Sequence, residues 1–164
     1  VNLLIADDVG IGKTIEAGMV IRQLLLDGQI DDATDLLGHR YRVRGRVTSG
    51  SERGRELGYP TANLTHVVTV LPRDGVYAGV AHYPGGSRPA AINLGPNPTF
   101  GERRRKLEVH LLDFEGDLYE QPLDVEFVER LRDTKAFPNV ESLKTQLSED
   151  VARVRAVVRT TATR

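Results

Sequence analysis

Between Gly50 and Leu64 the chain reads Gly-Ser-Glu-Arg-Gly-Arg-Glu-Leu-Gly-Tyr-Pro-Thr-Ala-Asn-Leu. Gly50, Gly54 and Gly58 recur at every fourth position, with Arg53 and Arg55 between them. Glycine lets a backbone pass through positive φ and approach a bulky anion closely. Arginine supplies a planar, always-charged fork for phosphate oxygens. Thr61 and Asn63 follow, two residues apart, so in an extended strand both point to one face. Two neutral oxygen ligands suit a hard cation such as Mg2+, which leaves most of its coordination to water and phosphate. Glycine flap, cations and oxygen pair together describe a site for a metal–nucleotide complex. The alternative is a flexible hairpin whose Thr61 and Asn63 merely cap the turn after Pro60.

A second candidate lies on the run Leu107-Glu-Val-His-Leu-Leu-Asp-Phe114. Glu108 stands between two apolar neighbours on a strand. A carboxylate held against low-dielectric surroundings gains proton affinity, which suits a general base. The competing reading is an ordinary solvent-facing strand residue. His110 shares the strand face with Glu108 but has no spaced metal-ligating partner, so it reads as structural. His39, His66 and His82 read as surface residues.

The elements that must position these groups fall into three regions. The first, 1–38, begins with an apolar stretch, Val1–Ala6, read as a strand, and a turn at Gly10 and Gly12. Thr14 to Leu26 has helical spacing, and Asp31–Leu37 is a shorter helix ending at Gly38. The second, 39–128, changes period: Tyr41–Val47, Gly75–Tyr83, Ala90–Leu94, Leu107–Phe114 and Leu123–Val128 are strand-like and punctuated by Gly and Pro. Five or six short strands of this kind indicate an antiparallel barrel or sandwich. The third is helical. Leu143, Leu147, Val151, Val154 and Val158 form one apolar stripe able to pack on a barrel, with Asn139 as N-cap. Arg159–Arg164 reads as a flexible tail.

Composition bounds the function further. The chain has 164 residues, 22 Lys and Arg against 23 Asp and Glu, and a net charge of −1, so no global field draws it to nucleic acid or a membrane surface. Cysteine is absent, which excludes thiolate chemistry and disulfides and fits a cytoplasmic setting. No apolar run reaches the roughly 18–20 residues of a membrane span. Asp7, Asp8, Lys13 and Glu16 argue against a leader peptide over the first twenty positions. Tryptophan is absent and aromatics are few, which argues against a stacking platform for single strands.

From about Gly38 to Val158 six collinear blocks resemble the riboflavin kinase, or flavokinase, module of bacterial FMN and FAD synthesis. They are Gly45-Arg-Val with Gly50…Gly58-Tyr-Pro-Thr-Ala-Asn63; Leu71-Pro-Arg-Asp-Gly-Val-Tyr77; Ile92-Asn-Leu-Gly95 with Asn97-Pro-Thr-Phe100; Glu108 to Phe114; Leu118-Tyr119; and Leu131-Arg132…Lys135-Ala-Phe137. The resemblance implies a mainly β fold: a six-stranded antiparallel Greek-key barrel over 39–158 with a C-terminal α-helix, behind a short strand–helix extension. It implies transfer of the ATP γ-phosphoryl group to the riboflavin 5′-hydroxyl, with Mg2+ or another divalent cation, by a cytoplasmic monomer. By the same resemblance Glu108 is the catalytic base, and Thr61 and Asn63 are the metal pair. Gly50, Gly54, Arg55, Leu111, Asp113 and Tyr119 fall at nucleotide-site positions, and Arg132, Lys135 and Phe137 at flavin-side positions. Two departures stand out. Glu120 occupies a position where the family commonly has glycine, which implies a stiffer or shifted turn. Asp133-Thr134 replaces a more usual acidic or proline-containing pair.

The beginning resembles something else. Leu3 to Val20, with Gly10-Ile-Gly-Lys-Thr14, is similar to the first ATP-binding motif of helicase-type remodelling ATPases, in which Lys13 would reach phosphate and Thr14 the Mg2+. No second acidic motif or second lobe follows, so Lys13 is not expected to support ATP hydrolysis. Leu24 to Gly38 looks like the connector that precedes the flavokinase module in bifunctional FAD synthetases. The nucleotide-binding motifs of their adenylyltransferase domain are not found here, so FAD formation is not expected of this chain.

Overall fold

The computed structural model describes residues 10–50 and 53–162. The Val1–Ala6 strand expectation and the side chains of Lys13 and Arg53 lie outside what is described. Six strands close into an antiparallel barrel: β1 (Arg42–Thr48), β2 (Ala62–Thr65), β3 (Gly75–Tyr83), β4 (Gly86–Gly95), β5 (Lys106–Leu111) and β6 (Pro122–Arg132). Their order around the barrel is β1-β2-β5-β4-β3-β6. The consecutive strands β3, β4 and β5 form a meander, while the β2–β3 and β5–β6 connections cross over, as in a Greek key. Four helices accompany them among the described residues: α1 (Gly10–Asp27), α2 (Ile30–Leu37), α3 (Arg53–Glu56) and α4 (Val140–Ala162).

Strand alternation explains the closure. Val43 and Val47 of β1, Ile92 and Leu94 of β4, Leu107, Val109 and Leu111 of β5, and Leu123, Val125 and Phe127 of β6 all enter one buried cluster. Their sequence neighbours face outward, as a period of two requires. Tyr77 and Phe127 meet edge to face in this core, with ring centroids 5.1 Å apart. The α1–α2 hairpin adds Leu25, Ile30 and Ala33 to the same cluster. Gly38 ends α2 in the left-handed conformation at φ 71°, where glycine carries no Cβ penalty.

Helix α4 covers the outside of the barrel. Val154, with Val151, Val157 and Val158, packs on Val76, Ala78, Leu112 and Leu131. Its N-terminus is capped as expected: the Asn139 side-chain oxygen accepts from the Ser142 N–H at 2.8 Å.

Two boundaries differ from the sequence reading. Among the described residues helix α1 runs from Gly10, so Gly10 and Gly12 stand in helix rather than in a turn. Helix α4 continues to Ala162 through the expected tail, with the Thr160 hydroxyl bonded to the Ala156 carbonyl at 3.0 Å. Polar composition alone does not end a helix that carries no Gly or Pro.

Candidate active site

The site is built on one row of cross-strand partners. Thr48 pairs with Asn63, Asn63 with Glu108, Glu108 with Asn93, Asn93 with Val76, and Val76 with Arg132. Directly opposed residues share a sheet face. The neighbours of Glu108, Leu107 and Val109, fill the interior, so this row lies on the outer wall of the barrel and takes one residue from each strand.

Glu108 does not face open water. It is 8% exposed, and its Oε2 accepts from Asn97 Nδ2 at 2.9 Å and from Asn93 Nδ2 at 3.4 Å. Among the described residues no donor reaches Oε1. The carboxylate opens into a cavity of about 150 Å3 between the barrel wall, α4 and the segment after β6. Thr61, Asn93, Asn97, Arg132, Lys135 and Phe137 share its lining. Leu143, Leu147 and Val151 of α4 supply an apolar wall. The stripe read as a packing face therefore divides, with its first two turns walling the cavity and the rest seated on the barrel.

A second cavity, of about 490 Å3, opens at one end of the barrel. Its floor is made by Val47, Val109 and Leu111, and its rim by Gly50, Arg55 and Tyr119 with the loop from Phe114 to Leu118. Thr61 lines both cavities. It stands just before β2, where His110 holds the chain: Nδ1 donates to the Pro60 carbonyl at 2.8 Å, and the ring meets Tyr59 edge to face. His110 also lines the first cavity.

The flap glycines have steric reasons. A Cβ on Gly50 would sit 2.0 Å from Asn63 Nδ2, and one on Gly54 would sit 2.4 Å from the Tyr59 carbonyl oxygen. Neither position admits a side chain without moving the groups beside it. The Tyr59 N–H, in turn, bonds to the Gly54 carbonyl at 2.7 Å, closing the short α3 turn. Asn63 lines neither cavity but lies between Gly50 and Glu108.

The structure thus gathers Glu108, Thr61, Gly54, Arg132, Lys135 and Phe137 around one cavity, and Gly50, Arg55, Leu111 and Tyr119 around the other. Asp113 joins neither. Standing at φ 54° just after β5, it makes two bonds to Arg155 of α4, at 2.6 and 2.7 Å. That guanidinium holds its carboxyl below the usual carboxylate range. Arg132 is also engaged: it forms a forked pair with the buried Asp150, at 2.6 Å between Nη2 and Oδ2. Its Cζ lies 5.9 Å from the Phe137 ring centroid, and Lys135 Nζ lies 5.0 Å from it. Glu120, read as a departure, is held at φ 61°, a region where glycine is free of strain. Asp133 is taken by Arg130 at 2.5 Å, and Thr134 lines the first cavity.

Asn93 and Asn97 were not singled out from sequence as site residues, although both stand in quoted blocks. The signal that would have found Asn97 is its place between two prolines, Pro96 and Pro98: a polar side chain on a stiff loop. Among the described residues no group of three or more His, Cys, Asp or Glu could hold a metal. Thr61 and Asn63 offer neutral oxygens of the kind a phosphate-bound hard cation takes. Among the described residues no helix is long and apolar enough to cross a membrane.

Known proteins point the same way. A family profile described as Flavokinase: Riboflavin kinase matches residues 37–158. The bifunctional riboflavin kinase/FMN adenylyltransferase of Pseudomonas fluorescens is 41% identical over 145 residues, covering 88% of this chain and 47% of that protein. Its Escherichia coli K12 counterpart is 39% identical over 134 residues, covering 79% of this chain and 42% of the relative. The chain therefore spans less than half the length of these curated relatives. A crystal structure described as a macrolide-efflux protein from Streptococcus pneumoniae superposes with a TM-score of 0.76 at 37% identity, covering 84% of this chain and 45% of that one. The riboflavin kinase of Trypanosoma brucei superposes with a TM-score of 0.53 at 24% identity, covering 72% of this chain and 79% of that one, and shares the fold. With a profile spanning most of its length and a six-stranded barrel that carries the motifs in register, this chain belongs to the riboflavin kinase family.

Proposed function

We propose that this chain is an ATP-dependent riboflavin kinase that converts riboflavin to FMN, with Glu108 as the base for the acceptor hydroxyl. The observation that carries the reading is the position of Thr61 and Glu108. Thr61 lies where two cavities of different character meet, and Glu108 opens into the smaller of them. Phosphoryl transfer needs two substrates held in line with little other covalent chemistry for the protein to do. The barrel-end cavity, with Gly50, Arg55 and Tyr119, takes the nucleotide. The cavity under α4, with Phe137 and its apolar wall, takes the flavin.

Thr61 and Asn63 are the residues that would hold a Mg2+ brought by the nucleotide, and the ion would supply neutralisation of phosphoryl charge. Glu108 takes the proton of the alcohol. The Gly50–Gly58 segment excludes water that would otherwise hydrolyse ATP. Residues 39–158 form the kinase unit, 1–38 an extension whose Leu25, Ile30 and Ala33 pack into its core, and the enzyme works as a cytoplasmic monomer.

Chromatographic detection of FMN after incubation with riboflavin and Mg-ATP tests this. Glu108→Gln is expected to lower turnover by about 10²–10⁴-fold, the usual worth of a general base. Asn63→Ala should lose FMN formation as well, and Lys13→Ala should keep it. ATP hydrolysis stimulated by DNA and abolished by Lys13→Ala would sink the kinase reading.

A further inference from the structure

Asn97 is placed as no ordinary loop residue would be. It lies between Pro96 and Pro98 and leads into a 3-10 turn, Pro98–Phe100. Asparagine at such a position normally caps the turn. Here its side chain makes no capping bond. It spans instead to the barrel wall, where Nδ2 donates to Glu108 Oε2 at 2.9 Å and Oδ1 accepts from Asn93 Nδ2 at 3.0 Å. Proline fixes its own φ and restricts the residue before it, so this amide is delivered from a stiff loop. The Gly101 N–H to Pro98 carbonyl and Glu102 N–H to Asn97 carbonyl bonds, at 3.1 and 3.2 Å, close that loop on itself.

We propose that Asn97, oriented by Asn93, is the positioning residue that turns the Glu108 carboxylate toward the acceptor hydroxyl. With Oε2 taken by the two amides, Oε1 is the oxygen left to accept the proton. A carboxylate locked before substrate arrives need not lose rotational freedom during the reaction. The inference rests on the kinase reading, in which Glu108 is the base.

Charged and titratable groups face Glu108 from several elements. Lys106 and His110 stand two residues either side of it on β5, Arg132 comes from β6, Lys135 from the segment after it, and Asp150 from α4. Lys106 pairs with Glu102 at 2.6 Å, Arg132 with Asp150, and His110 Nδ1 with the Pro60 carbonyl. Strands β2 and β4 contribute Asn63 and Asn93, which do not titrate. Among the described residues, the donors bonded directly to the Glu108 carboxylate are the Asn97 and Asn93 amides.

The test is the steady-state kinetics of riboflavin phosphorylation in wild type, Asn97→Ala, Asn97→Asp and Glu108→Gln, with thermal melting alongside. A positioning residue acts on turnover, so Asn97→Ala should lower kcat by about tenfold or more, with both KM values within about twofold of wild type and the Tm unchanged. Asn97→Asp, nearly isosteric but without the amide donor, should lower kcat at least as far and is the safer fold. A kcat within about twofold of wild type, or a loss carried by KM or by the melting temperature, overturns the positioning role. A Glu108→Gln variant as active as wild type removes the base and overturns the kinase reading with it; an inactive Glu108→Gln beside Asn97 variants of unchanged kcat overturns the positioning role alone.

Discussion

The two cavities are built from different kinds of structure. The one under α4 is walled by hydrogen-bonded strands and a helix packed on them, and the Arg132–Asp150 pair ties helix to barrel inside it. The one at the barrel end has a floor of core side chains but a rim taken from outside the strands, with Ser49, Gly50 and Arg55 on one side and the Phe114–Tyr119 loop on the other. Its rim includes exposed residues such as Tyr119 and abuts backbone held at positive φ by Glu120. The lesson is that shape under α4 is a property of the fold, whereas shape at the barrel end is local to segments outside the strand ladder.

The largest expected consequence concerns Asp150. It is 3% exposed, and removing it strips the half-buried Arg132 guanidinium of its carboxylate, leaving the Asp133 carbonyl as acceptor. Asp150→Ala should cost about 3 kcal/mol of unfolding free energy in urea titration and raise the KM for riboflavin at the same time. A loss within about 0.5 kcal/mol, the range of ordinary surface substitutions, would break the comparison. A crossed pair sharpens it. Gly50→Ala forces Asn63 aside and should lower turnover by about a hundredfold with a raised KM for ATP and unchanged stability. Phe137→Ala should raise the KM for riboflavin by about tenfold and leave that for ATP alone. If each variant moves the other substrate's KM, the cavities are not separate. The smallest effect is at the nucleotide rim. Glu120→Gly removes left-handed strain and should add about 1 kcal/mol of stability, read as a rise in Tm, because the exposed Arg46–Glu120 contact it loses is worth little.

Much of the fold was legible because its signals are local. Alternation marked five strands, and Gly38 and Asn139 marked helix ends. The site was legible as residue types, and the resemblance supplied their roles. What escaped were partnerships formed across the chain. Asp113 read as a nucleotide residue, yet its contact is Arg155, 42 residues on. Arg132 read as a cation facing the flavin, yet Asp150, 18 residues on, pairs with it. Asn97 read as part of a block, and its bond to Glu108 exists only because the Gly95–Gly101 loop folds back over β5.

The sequence by itself determined where the backbone turns and which chemistry is available, because glycine, proline and strand alternation act over a few residues. Only the tertiary structure decided that Asn63, Glu108, Asn93 and Arg132 stand in one row and that Thr61 lies where two cavities meet. Those relations depend on strand register and barrel closure, and register is set by how the whole interior packs rather than by any one segment.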